Sequence, residues 1–265
     1  MNIQPTIQIS APINSRDWIL PFYFEHLRNL NYPKNLISFY FLLNNSNDKS
    51  QKILEEFKRK YGHEYKSFII EKFDSKYMFE DLRTPKVRQN YTYKHLSNLR
   101  NKILSSVQSD YLFSVDSDIL VQPDTLNKLL SHQKDICSAL IYNGYISYPD
   151  TYWQYPNILN LNEQGGFTHV RNWYVKNAPT LKQSKLLKVD ATGAICLMSK
   201  SVCEKTSYSY HFQGEDISWS LDCKNKGFEL WCDISAYCHH IMSKDMLKNF
   251  LKGENNENNS LYAYN

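Results

Sequence analysis

The run Leu36-Ile37-Ser38-Phe39-Tyr40-Phe41-Leu42-Leu43 constrains the fold more than any other part of the chain. It is apolar at nearly every position, follows Tyr32-Pro33 and stops at Asn44-Asn45-Ser46-Asn47-Asp48. A strand without polar alternation is buried on both faces, as in a parallel sheet with helices packed on either side. The flanking segments agree. Thr6–Ala11 reads as a β-branched strand, Pro12–Asp17 as a loop and Leu20–Leu30 as a helix that ends before Pro33. Ser50–Tyr61 has the pattern of a second helix and Ser67–Ile70 that of a third strand. This βαβα order predicts an α/β fold with a doubly wound, mainly parallel sheet, in which ligands collect at the carboxyl ends of the strands.

Further along, 73–91 reads as a polar, mobile loop, Tyr93–Val107 as a helix and Tyr111–Val115 as a buried strand. Pro123–Ser131 and Asp135–Ile141 read as helix and strand. Tyr142–Thr180 is long and aromatic with few periodic signals, and holds Tyr142, Tyr145, Tyr148, Tyr152, Trp153, Tyr155, Trp173 and Tyr174. Val189–Met198 reads as a strand, Ile217–Asn225 as a helix capped by Gly227, and Phe228–Trp231 as a last strand before Cys238-His239-His240. The asparagine-rich stretch 253–265 is expected to be a disordered tail.

With 42% hydrophobic and 22% charged residues in 265, the chain suits one hydrophobic core. A net charge of +4 without a long basic run argues against a nucleic-acid partner. No stretch approaches the ~18 apolar residues that read as a membrane span, and the N-terminus lacks an export pattern, so a cytoplasmic location is expected. Cys137, Cys196, Cys203, Cys223, Cys232 and Cys238 show no C-x-x-C spacing and are expected to be free thiols.

Two acidic pairs carry the chemistry. Asp116 and Asp118 follow the strand Tyr111–Val115, and if the extended backbone persists both carboxylates lie on one side and share a cation. A hard ion, Mn²⁺ or Mg²⁺, takes oxygen ligands and leaves positions open to the phosphates of a substrate. The alternative is a turn with two solvated acids. Glu215 and Asp216 follow Gly214 at a helix start, where Asp216 either caps backbone N–H groups or serves as a general base.

The chain resembles the GT-A glycosyltransferases, especially family 2 and its relatives. The resemblance rests on the first strand with its polar loop, Leu99-Arg100-Asn101, Phe113-Ser114-Val115-Asp116-Ser117-Asp118 and Gly214-Glu215-Asp216. Leu27–Lys34 is also similar to the donor domains of collagen galactosyltransferases and fungal mannosyltransferases. The resemblance implies one GT-A domain over 1–252, with a nucleotide-binding half (1–120), an acceptor-binding and catalytic half (121–252) and an acceptor-side lobe inserted late. It implies Asp118 as a direct metal ligand, Asp116 on the ribose or on the metal through water, and His240 as third ligand. His239 is the adjacent alternative. Asp216 becomes the base of an inverting transfer and Glu215 a positioning group. Arg100 either neutralises the donor phosphates or is simply solvated. Ser117, Ala11, Pro12, Asn44 and Asp48 fall at the nucleotide, although 44–48 is equally an ordinary turn. Gly193 and Ala194 let a sugar approach the backbone, or form a tight turn, and Asp190 either touches sugar hydroxyls or caps that turn.

The implied reaction is a metal-dependent hexosyl transfer from a nucleotide diphosphate sugar, preferably a UDP-sugar, to a glycan, lipid-linked saccharide or protein. Three rival readings fit the residues less well. A sugar nucleotidyltransferase lacks its glycine-rich loop here, since 11–18 contains no glycine. A non-catalytic carbohydrate-binding protein has no need of both acidic pairs, and a zinc domain needs paired cysteines.

Overall fold

The computed structural model describes residues 4–73, 91–147, 151–170 and 185–254 of the chain. The first half is the expected alternation: β1 (Ile7–Ile13), α1 (Leu20–Arg28), β2 (Ile37–Leu43), α2 (Ser50–Tyr61) and β3 (Ser67–Lys72). Then come α3 (Tyr93–Ser105), β4 (Tyr111–Val115), the short β5 (Ile119–Leu120), α4 (Thr125–Ser131) and β6 (Ile136–Leu140). The expected loop between β3 and α3 lies outside the described residues.

The segment read as irregular contains strands. A hairpin of β7 (Tyr142–Ser147) and β8 (Thr151–Pro156) leads to β9 (Ile158–Leu161) and β10 (Phe167–His169). These strands are short and carry polar residues between aromatic ones, so no period of two stands out. Tyr148, Trp173 and Tyr174 lie outside the described residues. The expected strand Val189–Met198 is three: β11 (Leu186–Val189), β12 (Ala191–Thr192) and β13 (Ile195–Ser199). It breaks at Asp190 and again at Gly193-Ala194, where the φ of 67° at Ala194 is left-handed and interrupts any extended run.

The last part comprises α5 (Lys200–Lys205), α6 (Glu215–Asn225), β14 (Leu230–Tyr237), β15 (His239–His240) and α7 (Lys244–Glu254). Helix α6 begins two residues before the expected Ile217, which puts Glu215 and Asp216 in its first turn. It ends with Gly227 at φ 84° and with bonds from Phe228 N to Cys223 O and Gly227 N to Lys224 O, the paired pattern of a left-handed C-terminal cap. Helix α7 was not expected. It buries Leu247 and Phe250 and runs past the point where the tail was placed.

The main sheet has eight strands in the order β11-β14-β6-β13-β4-β1-β2-β3. Strands β1 to β4, β6 and β14 run parallel, while β13 and β11 run against them. Both faces are covered, which explains the unbroken apolar run of β2. Phe39 and Phe41 face one cluster with Tyr23, Phe24 and Phe57, whereas Tyr40 and Leu42 face another with Leu99, Leu112 and Trp219. All six cysteines are buried and unpaired. Among the described residues, no helix is long and apolar enough to cross a membrane.

The sheet order fixes where a crevice opens. From β1 the chain winds outward to β2 and β3, then returns to place β4 on the other side of β1. Strand β1 pairs with β2 from Ile7 to Ile13, but with β4 only as far as Ser10 and Ser114. Beyond that point the carboxyl ends of β1 and β4 separate, which is the topological switch point where α/β sheets bind ligands.

Trp219 anchors α6 to this frame. Its ring is fully buried, stacks on Tyr208 at 5.4 Å between centroids, and its Nε1 donates to Thr206 Oγ1 at 3.0 Å. Trp219→Ala should cost about 3–5 kcal/mol of stability, the usual range for deleting a buried large aromatic. Urea unfolding of both forms measures it.

Candidate active site

Helix α3 turns Leu99, Ile103 and Leu104 into the core, and Arg100 goes with them. The Arg100 residue is only 5% exposed. Its Nη2 donates to Asp116 Oδ2 at 3.0 Å and its Nε to Glu215 Oε1 at 3.2 Å, with Asp216 Oδ1 3.8 Å away. Three carboxylates, one just after β4 and two from the first turn of α6, therefore meet one guanidinium, which also lies 5.7 Å over the Tyr208 ring. A buried arginine is tolerable only with such partners.

One cation does not neutralise three acids. Burial pushes the Glu215 carboxyl above its ordinary value, and the attraction of Arg100 opposes that. Asp216 is pushed up to about 8, first by burial and then by repulsion from Glu215 and Asp116, with Arg100 pulling the other way. Its side chain is nonetheless 31% exposed, whereas that of Glu215 is only 6% exposed. Glu215 thus grips the guanidinium from inside, and Asp216 faces the opening.

Asp216 rests on Gly193. A Cβ at position 193 would fall 1.9 Å from Asp216 Oδ2, so the carboxylate fills the space a side chain would need. The next residue, Ala194, sits at the centre of a tight turn closed by Ile195 N to Gly193 O at 2.8 Å, a positive-φ γ-turn of the strained kind. Asn157 holds the turn: its buried amide donates to Gly193 O at 3.1 Å and Ala139 O at 3.0 Å, and accepts from Ile141 N at 3.1 Å. The Ala194 carbonyl in turn accepts from Asp116 N at 2.9 Å, so the turn also fixes the start of the acidic pair. Asp190 is engaged elsewhere, with Lys224 and with Leu161 N.

The extended backbone expected from Asp116 to Asp118 is not kept. Residues 117 and 118 turn, with Ile119 N bonded to Asp116 O at 3.0 Å, and Ser117 is buried. The two carboxylates consequently take different partners. Asp116 faces Arg100, while Asp118 Oδ2 lies 3.6 Å from Arg16 Nη2 and its Oδ1 3.4 Å from His240 Nε2. Pairing of β15 with β5, His240 opposite Ile119, brings that histidine across. Its Nδ1 lies 2.8 Å from Asn143 Oδ1 and donates there, which leaves Nε2 directed at Asp118. His239 points into the core beside Phe250, and burial lowers it to about 4.

These residues fit a divalent ion. A ring nitrogen and a carboxylate oxygen face each other at 3.4 Å, the second ring nitrogen of the histidine is held by an amide oxygen as is usual for metal-binding histidines, and the buried Asp116 Oδ1 has no hydrogen-bond partner. Among the described residues no group of three His, Cys, Asp or Glu side chains encloses an ion. A site completed by substrate oxygens, as is common for Mg²⁺ and Mn²⁺, needs no such cage.

Where the resemblance puts the nucleotide, Ala11 has its methyl in the core and Pro12, next along β1, is only partly buried. Asn44 is 5% exposed, and its Oδ1 has no partner. Asp48 is occupied: it accepts from Asp17 N at 2.9 Å and Ser50 N at 3.0 Å, and these bonds outweigh burial to hold its carboxyl below the ordinary value. It ties the loop after β1 to the start of α2.

Sequence reasoning missed Arg16, Asn143, Asn157 and Tyr23, whose hydroxyl donates to Val115 O at 2.9 Å behind the acidic pair. Each works through contacts between segments distant in the chain, which no local pattern announces.

The raised Asp216 carboxyl makes stability depend on pH. In the unfolded chain this group ionises near its ordinary value, so between that value and about 8 the folded chain binds the extra proton. The stability so gained is present at low pH and lost as pH rises through about 8. Asp216→Asn stays neutral throughout, so its melting temperature relative to the native chain should increase from pH 5 to pH 9, read by thermal unfolding across that range.

Residues 4–158 match the family model for the glycosyltransferase family 25, N-terminal domain. Among solved structures the fold is similar to residues 1–349 of TarS from S. aureus, at 10% identity and a TM-score of 0.53 over 88% of this chain and 60% of that one. It is similar to the mannosyltransferase PcManGT from Pyrobaculum calidifontis, solved with GDP-Man and Mn²⁺, at 8% identity and 0.56, over 91% of this chain and 58% of that one. GalNAc-T7 with UDP, GalNAc and Mn²⁺ matches at 13% identity and 0.58, over 91% of this chain and 44% of that one. The chain thus spans 60% or less of the length of each of these structures. No curated protein is significantly similar in sequence. The structural likeness identifies the GT-A fold. With the family match running over more than half of its residues, the chain belongs to glycosyltransferase family 25.

Proposed function

We propose that the chain transfers a hexose from a nucleotide diphosphate sugar, a UDP-sugar by preference, to an acceptor hydroxyl in a single inverting displacement. The observation that carries this reading is the Arg100 cluster, which holds Asp216 partly exposed beside Asp116, with a raised affinity for protons. A carboxylate of that kind is suited to take a proton from an alcohol, whereas a solvated aspartate is a poor base. The uridine preference is supported by TarS, solved with UDP-GlcNAc, and GalNAc-T7, solved with UDP. PcManGT, with GDP-Man, is the exception among the three.

In this mechanism the donor lies with its nucleotide over the ends of β1 and β2, near Ala11, Pro12 and Asn44, and its diphosphate near Asp118 and Arg16. Asp118 and His240 would hold Mn²⁺ or Mg²⁺, with Asp116 alongside. The bound ion supplies Lewis-acid stabilisation of the leaving diphosphate. Asp216 accepts the acceptor's proton while the acceptor oxygen attacks the anomeric carbon and the bond to the diphosphate breaks. Glu215 acts through Arg100, fixing where Asp216 and Asp116 stand. Gly193 matters because any side chain there would drive the base out of position.

Thermal unfolding with a panel of nucleoside diphosphates, with and without Mn²⁺, tests the donor site. A manganese-dependent rise for one nucleotide that vanishes in Asp118→Ala is the expected outcome, since a ligand that binds only the folded chain must stabilise it. No rise for any nucleotide overturns the reading. Once a donor is known, Asp216→Asn should lower kcat by roughly 10²–10⁴-fold while that rise persists. In the native enzyme, kcat/KM should increase with pH up to about 8 as the free Asp216 ionises. Gly193→Ala should reproduce the loss of kcat, because it displaces the same carboxylate.

A further inference from the structure

Two arginines flank the acidic pair, and they are held very differently. Arg100 is buried and makes bonds of 3.0 and 3.2 Å to Asp116 and Glu215. Arg16, in the segment after β1, keeps 21% of its side chain exposed. Its Nη1 donates to Asn14 O at 3.3 Å, and its Nη2 stands 3.6 Å from Asp118 Oδ2. Both distances exceed the roughly 2.7–2.9 Å of a strong charge-assisted bond. The main chain of Arg16, by contrast, is fixed. Its N donates to Ser50 Oγ at 2.8 Å, and its O accepts from Ile19 N and Leu20 N, both at 3.0 Å. A firmly anchored residue thus carries a loosely held guanidinium.

The Arg16–Asp118 pair spans the opening of the sheet. Arg16 follows β1 and Asp118 follows β4, the two parallel strands that separate beyond Ser10 and Ser114. Asp118 also serves the other side, with its Oδ1 3.4 Å from His240 Nε2. A divalent ion taken up between Asp118 and His240 would therefore share its carboxylate with the Arg16 guanidinium. Two cations on one carboxylate repel, and each weakens the hold of the other. A diphosphate removes that conflict. Some of its oxygens ligate a hard ion, others accept the forked N–H donors of a guanidinium, and one anion then neutralises both cations.

We propose that Arg16 is a diphosphate-binding residue that competes with the divalent ion for Asp118, so that ion and nucleoside diphosphate bind the chain cooperatively. Alone, the ion meets a carboxylate already engaged by Arg16. With the diphosphate present, the guanidinium turns from Asp118 to the phosphates and releases Oδ2 to the ion. Such coupling is reciprocal: the ion tightens the nucleotide by the same factor as the nucleotide tightens the ion. This rests on the donor-site reading and assigns the residue that couples its two ligands.

The test uses the full chain and needs no turnover. Electron paramagnetic resonance measures binding of Mn²⁺ alone, and calorimetric titration of UDP and of GDP, with and without saturating Mn²⁺, measures the coupling. In the native chain Mn²⁺ should tighten at least one of the two nucleotides by roughly tenfold or more, within the usual span of such couplings. Arg16→Ala and Arg16→Gln should each bind Mn²⁺ alone more tightly than the native chain. In both, the factor by which Mn²⁺ tightens the nucleotide should fall by roughly threefold or more. Circular dichroism of the ligand-free variants checks that they fold, and Arg16→Gln keeps most of the side-chain bulk while removing the charge. Binding of Mn²⁺ alone that is equal or weaker in both variants, or an unchanged coupling factor, overturns the role of Arg16 and leaves the donor site standing. If neither nucleotide binds the native chain, the donor-site reading itself falls, and the role of Arg16 with it.

Discussion

The site depends on one buried cation. Arg100 is the guanidinium against which Asp116, Glu215 and Asp216 are assembled; the first follows β4 and the other two open α6, while Arg100 comes from α3. Breaking a buried pair of this sort typically costs 3–5 kcal/mol, because the partner charge is left behind without compensation. Here three partners would be left. The packing of α3 and α6 on the sheet and the electrostatics of the site are therefore one problem. The twin bonds from Asn101 to Tyr208, one residue along α3, keep the loop before α6 in register with the arginine.

A second constraint comes from topology. Because β4 leaves β1 after Ser10 and Ser114, Asp116 emerges where two parallel strands diverge. The small ladder of β5 and β15 then returns the end of the chain to the same point, with Ile241 N bonded to Asp118 O at 2.8 Å. This two-residue pairing decides which of two adjacent histidines faces Asp118. Alternation along a strand sends neighbouring side chains to opposite sides, so His240 facing the carboxylate puts His239 against Phe250.

The main elements of the first half were legible in the sequence because their signals are local. The apolar run of β2, the helical spacing of α2 and the buried strand β4 each declare themselves within a few residues, and α2 and β4 have the boundaries read from the sequence. The acidic residues at the carboxyl edge were legible too, since they interrupt apolar patterns. Their geometry was not. Nothing local says that the backbone turns at Ser117, that Arg100 is buried, or that Asp118 faces Arg16. The strands between Tyr142 and His169 escaped because their pairing partners, not their own period, define them. Helix α7 escaped because its short apolar stripe sits close to a polar tail.

The region around Gly193 joins an irregular backbone to a crowded acid. Left to itself, Ala194 would avoid a φ of 67°, and an acid would avoid a crowded place among two other acids. Both persist because the surroundings overdetermine them: Asn157 fixes the Gly193 carbonyl, Asp116 N holds the Ala194 carbonyl, and Arg100 keeps the three carboxylates together. A fold that only had to be stable would replace Asp216 with a neutral residue and let the turn relax. Retaining an acid whose ionisation opposes folding makes sense if its proton affinity is what the site uses, and the vacant side-chain position at Gly193 is what gives that acid room.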